Sequence, residues 1–126
     1  MEARELRIGN LVEYEGQTVI VMATSNHVNK WDLELGYFKD SVGFQRKINQ
    51  VKPIPLTEEW LFEFGFIDDF SKDFRVRLIG HRLGDFFITE KMKLLTSDIN
   101  SVKIKYVHQL QNLYFALTGE ELTIKN

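Results

Sequence analysis

"VKPIPLTEEWLFEFGF", residues 51–66, divides the chain and sets what lies on either side of it. Pro53 and Pro55 hold the backbone extended, and the residue before each proline is pushed out of the helical region. Thr57 is a natural N-cap for the run that follows. Leu56 precedes the cap and Leu61 is the fourth residue inside, which is the spacing of a hydrophobic staple. Glu58 and Glu59 fall in the first turn, where negative charge suits the helix dipole. Gly65 supplies a left-handed stop. The spacing predicts a short helix over 57–64 and a boundary between two subregions.

Upstream, the chain reads as a small β module over 1–53. In "LVEYEGQTVIVMA" (residues 11–23), two apolar alternating runs flank Gly16. With Gly16 and Gln17 as the central residues of a two-residue turn, Tyr14 pairs with Val19, Val12 with Val21 and Glu13 with Ile20. Val12, Tyr14, Val19 and Val21 then share one face, as a half-buried hairpin requires. "IGN" (residues 8–10) is a turn signal. Trp31, Leu33 and Leu35 alternate with Asp32 and Glu34 as in a strand, and "VGFQRKINQVKPI" gives another that ends at Pro53. Four or five short strands closing on a proline suggest a small curled β-sheet or an SH3-like barrel.

Downstream, residues 54–126 read as an α+β module, or as part of one compact domain with the first. Strands are expected at about 74–79, 86–95 and 101–106, as a short antiparallel meander. A final amphipathic helix runs from about 106 to 118 and stops at Gly119. Val107, Leu110, Leu113, Tyr114 and Leu117 form its apolar stripe at helical spacing. The fold class is therefore α+β: a curled N-terminal sheet or barrel, a short central helix, an antiparallel meander and a C-terminal amphipathic helix.

The chain of 126 residues has no cysteine, which removes disulfides, thiolate zinc sites and cysteine nucleophiles together. No apolar run follows the first charges of "MEARELRIGN", so neither a signal peptide nor a membrane span is expected, and a cytoplasmic location follows. Net charge is −2, which gives no broad electrostatic case for nucleic acid. The charge is uneven: residues 1–70 carry a net of −5 and residues 71–126 a net of +3, a hint of two surfaces with different partners.

His27, His81 and His108 have no ligand partner at helical or hairpin spacing, so no metal site is expected. Nucleophile elbow, phosphate-binding glycine loop and zinc-hydrolase helix are all missing from the sequence. With no assembled catalytic constellation, an enzyme is not expected, and no cofactor is implied. Two groups of residues suit binding. Arg75 with Arg77, Lys91 with Lys93, and Lys103 with Lys105 each share a strand face; if those strands are neighbours, six cations line one sheet face, as in phosphate recognition. The plainer reading is a solvated face that discourages edge-to-edge aggregation. On the last helix, His108, Gln109, Gln111, Asn112 and Phe115 lie off the apolar stripe. A solvated polar face is again the plainer reading, yet solvent faces usually carry lysine and glutamate. Amides beside an aromatic ring suit a protein contact or the polar edge of a ligand.

Three blocks, "ELRIGNLVEYEGQ", "VKPIPLTEEWLFEFGF" and "IKYVHQLQNLYFALTGEELTI", resemble a group of small hypothetical proteins from Bacteroidota genomes, their prophages and phages. The last block is the most specific, and residues 25–49 and 68–100 carry no match. The group has no activity to carry over. The resemblance implies a mobile-element accessory protein acting inside a bacterial host cell. A non-enzymatic protein that docks on a host protein or protein–RNA complex and blocks it, as anti-CRISPR proteins do, is the reading this context favours. A direct nucleic-acid binder using the basic face and a structural or packaging component of the virion are the alternatives.

Overall fold

A computed structural model describes residues 5–24, 32–37, 40–71, 76–80, 87–89, 93–95 and 100–124. The chain forms two compact units, one of residues 1–55 with 106–121, the other of residues 56–105 with 122–126. These are interleaved in sequence, unlike two consecutive modules of 1–53 and 54–126, because the C-terminal helix belongs with the N-terminal strands.

The first unit holds strands β1 (Leu11–Tyr14), β2 (Gln17–Thr24), β3 (Leu33–Tyr37) and β4 (Asp40–Arg46), and helix α2 (Val107–Thr118). The strands form one antiparallel sheet in the order β1-β2-β3-β4. Val12, Tyr14, Val19, Val21, Leu33 and Leu35 build its core with Leu6 and Val51, and Tyr37, Phe44 and Ile48 pack against it. The β1–β2 register pairs Leu11 with Ile20, Val12 with Val19, Glu13 with Thr18 and Tyr14 with Gln17. The turn is therefore Glu15-Gly16, one residue earlier than expected, and both residues have positive φ (49° and 78°). Such a turn matches the twist of the flanking strands. The pairing moves by two residues as a result. An even shift keeps every side chain on its face, so the four expected core residues still share one side.

The curled sheet or SH3-like barrel does not form. The sheet is open: β1 and β4 are its two edges and are not bonded to each other. The segment after β4 meets β1 at a single antiparallel bridge, Glu13 with Lys52, in which each N–H donates to the other's carbonyl at 2.9 Å. An antiparallel ladder would next join Leu11 to Ile54, two residues along each strand. Those groups are already engaged. The Leu11 N–H donates to Gln111 Oε1 at 2.9 Å, and the Ile54 carbonyl accepts from the Val107 N–H at 2.9 Å. Pro53 and Pro55 add no donors. Closure fails for want of free backbone groups.

The second unit holds α1 (Glu58–Glu63) and strands β5 (Ile67–Ser71), β6 (Val76–Gly80), β7 (Phe87–Thr89), β8 (Lys93–Leu95) and β9 (Asn100–Lys103). These five strands form an antiparallel meander in chain order. Helix α1 follows its sequence signals closely. Thr57 is the N-cap, its Oγ1 accepting from the Trp60 N–H, and Glu58 and Glu59 fill the first turn. Gly65 (φ 91°) sits just beyond the helix. The Phe66 N–H reaches the Leu61 carbonyl and the Gly65 N–H reaches that of Phe62, each at 3.0 Å, the Schellman pattern. Leu56, Leu61, Phe64, Phe66, Ile104 and Leu122 are buried.

Candidate binding surfaces

Helix α2 starts after Tyr106, whose N–H donates to Gln109 Oε1 at 3.2 Å, the backward reach of an N3 glutamine. Gly119 (φ 76°) closes it, its N–H donating to the Phe115 carbonyl at 2.8 Å. The buried arc is Val107, His108, Leu110, Gln111 and Tyr114. It is not the expected stripe. Leu113 is half-buried, Leu117 is 40% exposed, and two polar residues take part in the buried arc.

The amides face inward because they hold the chain that leads into β1. Gln111 grips it twice: Oε1 accepts from the Leu11 N–H, and Nε2 donates to the Gly9 carbonyl at 3.0 Å. Asn112 does the same one turn of chain earlier. Its Nδ2 donates to the Glu5 carbonyl at 2.8 Å, and its Oδ1 accepts from Arg7 Nη1 and from Asn10 Nδ2, each at 2.9 Å. The turn itself is knotted by the Arg7 N–H donating to Asn10 Oδ1 at 2.7 Å and the Asn10 N–H donating to the Arg7 carbonyl at 3.0 Å. Gly9, at φ 97°, takes the left-handed conformation there. It donates to the Val21 carbonyl at 2.8 Å, while the Val21 N–H reaches the Asn10 carbonyl at 2.9 Å. Arg7 also pairs with Glu121 and lies 4.2 Å over the Phe115 ring. A carboxamide offers a donor and an acceptor side by side, so it can satisfy both polar groups of a backbone segment where a charged lysine or glutamate cannot.

His108 is a different case. Its side chain is 1% exposed, and neither ring nitrogen has a hydrogen-bond partner among the described residues. The ring stacks on Tyr106, with centroids 5.9 Å apart and planes 9° apart. Nε2 lies 3.9 Å from Glu5 Oε1, beyond hydrogen-bond reach. Burial pushes the imidazole below its ordinary 6.5, and the Glu5 carboxylate opposes that push. Of the five residues expected off the stripe, His108 and Gln111 are buried, Asn112 and Gln109 are half-buried, and Phe115 is exposed at 40%.

Of the six basic residues, Arg77, Lys93 and Lys103 lie on described strands, β6, β8 and β9. Arg75 and Lys91 lie outside the described residues. Across the second sheet, Ile79, Ile88, Leu94 and Val102 are successive register partners. Lys93 and Lys103 are direct cross-strand partners. Lys103 and Lys105 are exposed on either side of buried Ile104. Lys93 and Lys103 thus occupy one cross-strand position, and Arg77 lies on β6, two strands from β8.

A hollow of about 240 Å³ is lined by Glu13, Glu15, Gly16, Gln50 and Lys52; it holds no nucleophile–base pair. Among the described residues, no three or more His, Asp or Glu side chains are grouped to hold a metal ion, and no helix is long and apolar enough to cross a membrane. Sequence reasoning missed Arg7 and Asn10, the other half of the amide network; the "RIGN" turn was their one local signal. No family model matches the chain, and no curated protein or solved structure shows significant similarity to it.

Proposed function

We propose that the protein is a non-enzymatic accessory binding protein of a Bacteroidota phage or prophage. It acts in the cytoplasm of the host cell, docking on a host protein or protein–RNA machine and blocking it. The observation that carries this reading is the direct pairing of Lys93 with Lys103 across β8 and β9. Like charges directly opposite each other destabilise a strand pair. Lys105, exposed next along the chain, adds a third positive charge. Positive charges placed side by side in this way suit a surface meant for an anionic partner. The amide side of α2 contributes little to such a contact, since Gln111 and Asn112 are bonded within the chain.

The test is capture of partners by tagged protein from a Bacteroidota host lysate, compared with Lys93→Glu, Lys103→Glu and Lys105→Glu combined. Loss of the captured protein with the fold retained, by circular dichroism, is the expected result; undiminished capture removes the lysines from the account. The same three cations suit phosphate, so direct nucleic-acid binding is the second reading. A gel-shift series at low salt separates the two: retardation that falls steeply as salt rises favours nucleic acid, and none at any salt leaves a protein surface as the target.

A further inference from the structure

Among the described residues, Arg7 and Arg46 each lie over an aromatic ring, and the two differ in one bond. Arg7 lies 4.2 Å over the Phe115 ring, its Nη1 donates to Asn112 Oδ1, and its Nη2 pairs with the Glu121 carboxylate. Arg46, the last residue of β4, lies 5.1 Å over the Tyr14 ring and 4.9 Å over that of Phe44. Its Nε donates to Tyr14 Oη and its Nη1 to the Gln45 carbonyl, each at 2.7 Å. A guanidinium has five N–H donors. Three of those on Arg46 are left on the Nη atoms, and among the described residues no carboxylate pairs with them. The cluster belongs to the regular part of the β3–β4 pairing, where Arg46 is opposite Leu33 and Phe44 opposite Leu35. Both side chains are therefore on the core side with those leucines. The Tyr14 and Phe44 rings are 5.3 Å apart, and the Phe44 and Tyr37 rings 5.1 Å apart. Tyr14 is buried, whereas Tyr37, Phe44 and Arg46 are half-buried.

We propose that Arg46, Phe44 and Tyr37 form a docking site for an acidic, extended peptide segment of a partner protein. A carboxylate side chain of that segment sits on the Arg46 Nη atoms, and an apolar side chain two residues away sits on the Phe44 and Tyr37 rings. The two Nη atoms of a guanidinium match the two oxygens of a carboxylate. Residues i and i+2 of an extended segment share one face about 7 Å apart, so one such pair reaches from the guanidinium to the rings beside it. The bond to Tyr14 and the ring contacts order the Arg46 side chain in advance, which lowers the cost of binding. Arg7 shows the same arrangement completed by the chain's own Glu121. Arginine and aromatic rings are also the groups enriched at protein contacts. A polyanion suits the site less well. Residues 1–55 with 106–121 carry nine acidic and seven basic side chains, a net of −2, and that charge opposes a nucleic-acid backbone. The site lies in the first unit and does not rest on the lysines of the second sheet.

The test is a nuclear magnetic resonance titration of the full chain, read at the Arg46 Nε–H and at the Tyr14, Tyr37 and Phe44 ring signals. The probe is the blocked pentapeptide acetyl-Ser-Asp-Ser-Phe-Ser-amide. It should shift these signals to saturation. Replacing its Asp with Asn, or its Phe with Ala, should each weaken binding by about tenfold. Arg46→Lys keeps the charge and loses the fork, and should weaken binding to the same degree with an unchanged circular dichroism spectrum. The peptide comparison is made on the wild type, so it stands whatever the variant does to stability. No shift at the Arg46 and ring signals, equal binding of either substituted peptide, or a folded Arg46→Lys variant that binds as tightly overturns the proposal. So does octathymidylate that shifts the same signals at lower concentration than the peptide, because the site then belongs to nucleic acid. All the signals read belong to the first unit, so failure here is distinct from failure of the lysine surface.

Discussion

Replacing Gln111 with leucine should destabilise the first unit by about 2–3 kcal/mol. Gln111 is 2% exposed and serves two backbone groups. The Leu11 N–H, in a residue 3% exposed, would lose its acceptor, and an orphaned buried donor costs about 1–3 kcal/mol. The Gly9 carbonyl would lose a bond worth about 0.5–1.5 kcal/mol. The leucine methyls return roughly 0.8 kcal/mol through burial. Urea denaturation should show a lower midpoint at unchanged slope. Hydrogen exchange gives the local reading: the Leu11 amide should exchange roughly 30- to 150-fold faster, the same free energy expressed as a ratio. Gln111→Glu separates the two bonds. The new carboxylate still accepts from Leu11 but cannot donate to Gly9, and it buries a charge. Acid should stabilise that variant, because protonation restores a donor. A leucine variant within about 0.5 kcal/mol of wild type, the scale of ordinary surface substitutions, with unchanged exchange at Leu11, would refute the clamp.

Two further outcomes follow from the same unit. Because burial lowers the His108 pKa beneath its ordinary 6.5, the unfolded chain binds the proton more tightly than the folded one. Its contribution is fully present above pH 6.5 and is lost as pH falls below that value toward the folded pKa. His108→Phe should flatten this acid limb in denaturation midpoints measured from pH 5 to 7, at little cost at neutral pH, since both ring nitrogens lack partners among the described residues; an identical slope in the variant would exclude His108 as its source. At the β1–β2 turn, Glu15 carries φ 49°, which disfavours any side chain but asparagine or aspartate. Glu15→Asn should raise stability by about 0.5–1 kcal/mol, and a lower urea midpoint would show that the turn is not under that strain.

What was legible in the sequence was local. The α1 cap and Schellman stop lie within ten residues, Thr57 to Phe66, and each signal acts on its neighbours in the chain. The hairpin faces came out right although the turn was placed one residue late, because a two-residue slip preserves alternation. What escaped was set by distant groups. Gln111 turns inward to meet Leu11, and Asn112 to meet Glu5, Arg7 and Asn10, contacts across a hundred residues that helical periodicity does not encode. Whether two strands put their cations on the same face depends likewise on pairing register across loops, which alternation within one strand does not encode. Barrel closure failed on the same kind of information: counting strands does not reveal that Leu11 and Ile54 already have other partners.

The amide clamp also decides how one edge of the first sheet ends. A closed barrel has no edges. Here the pairing of β1 with the Lys52 segment is confined to Glu13, because Gln111 has taken the Leu11 N–H, so α2 caps one edge of the sheet with side chains rather than with a strand. The uncharged run on α2 is then explained without a partner, since amides are what a helix needs to hold an irregular backbone segment. The clamp and the proposed lysine surface can be tested independently: charge reversal at Lys93, Lys103 and Lys105 should leave the Leu11 amide as protected from exchange as in the wild type.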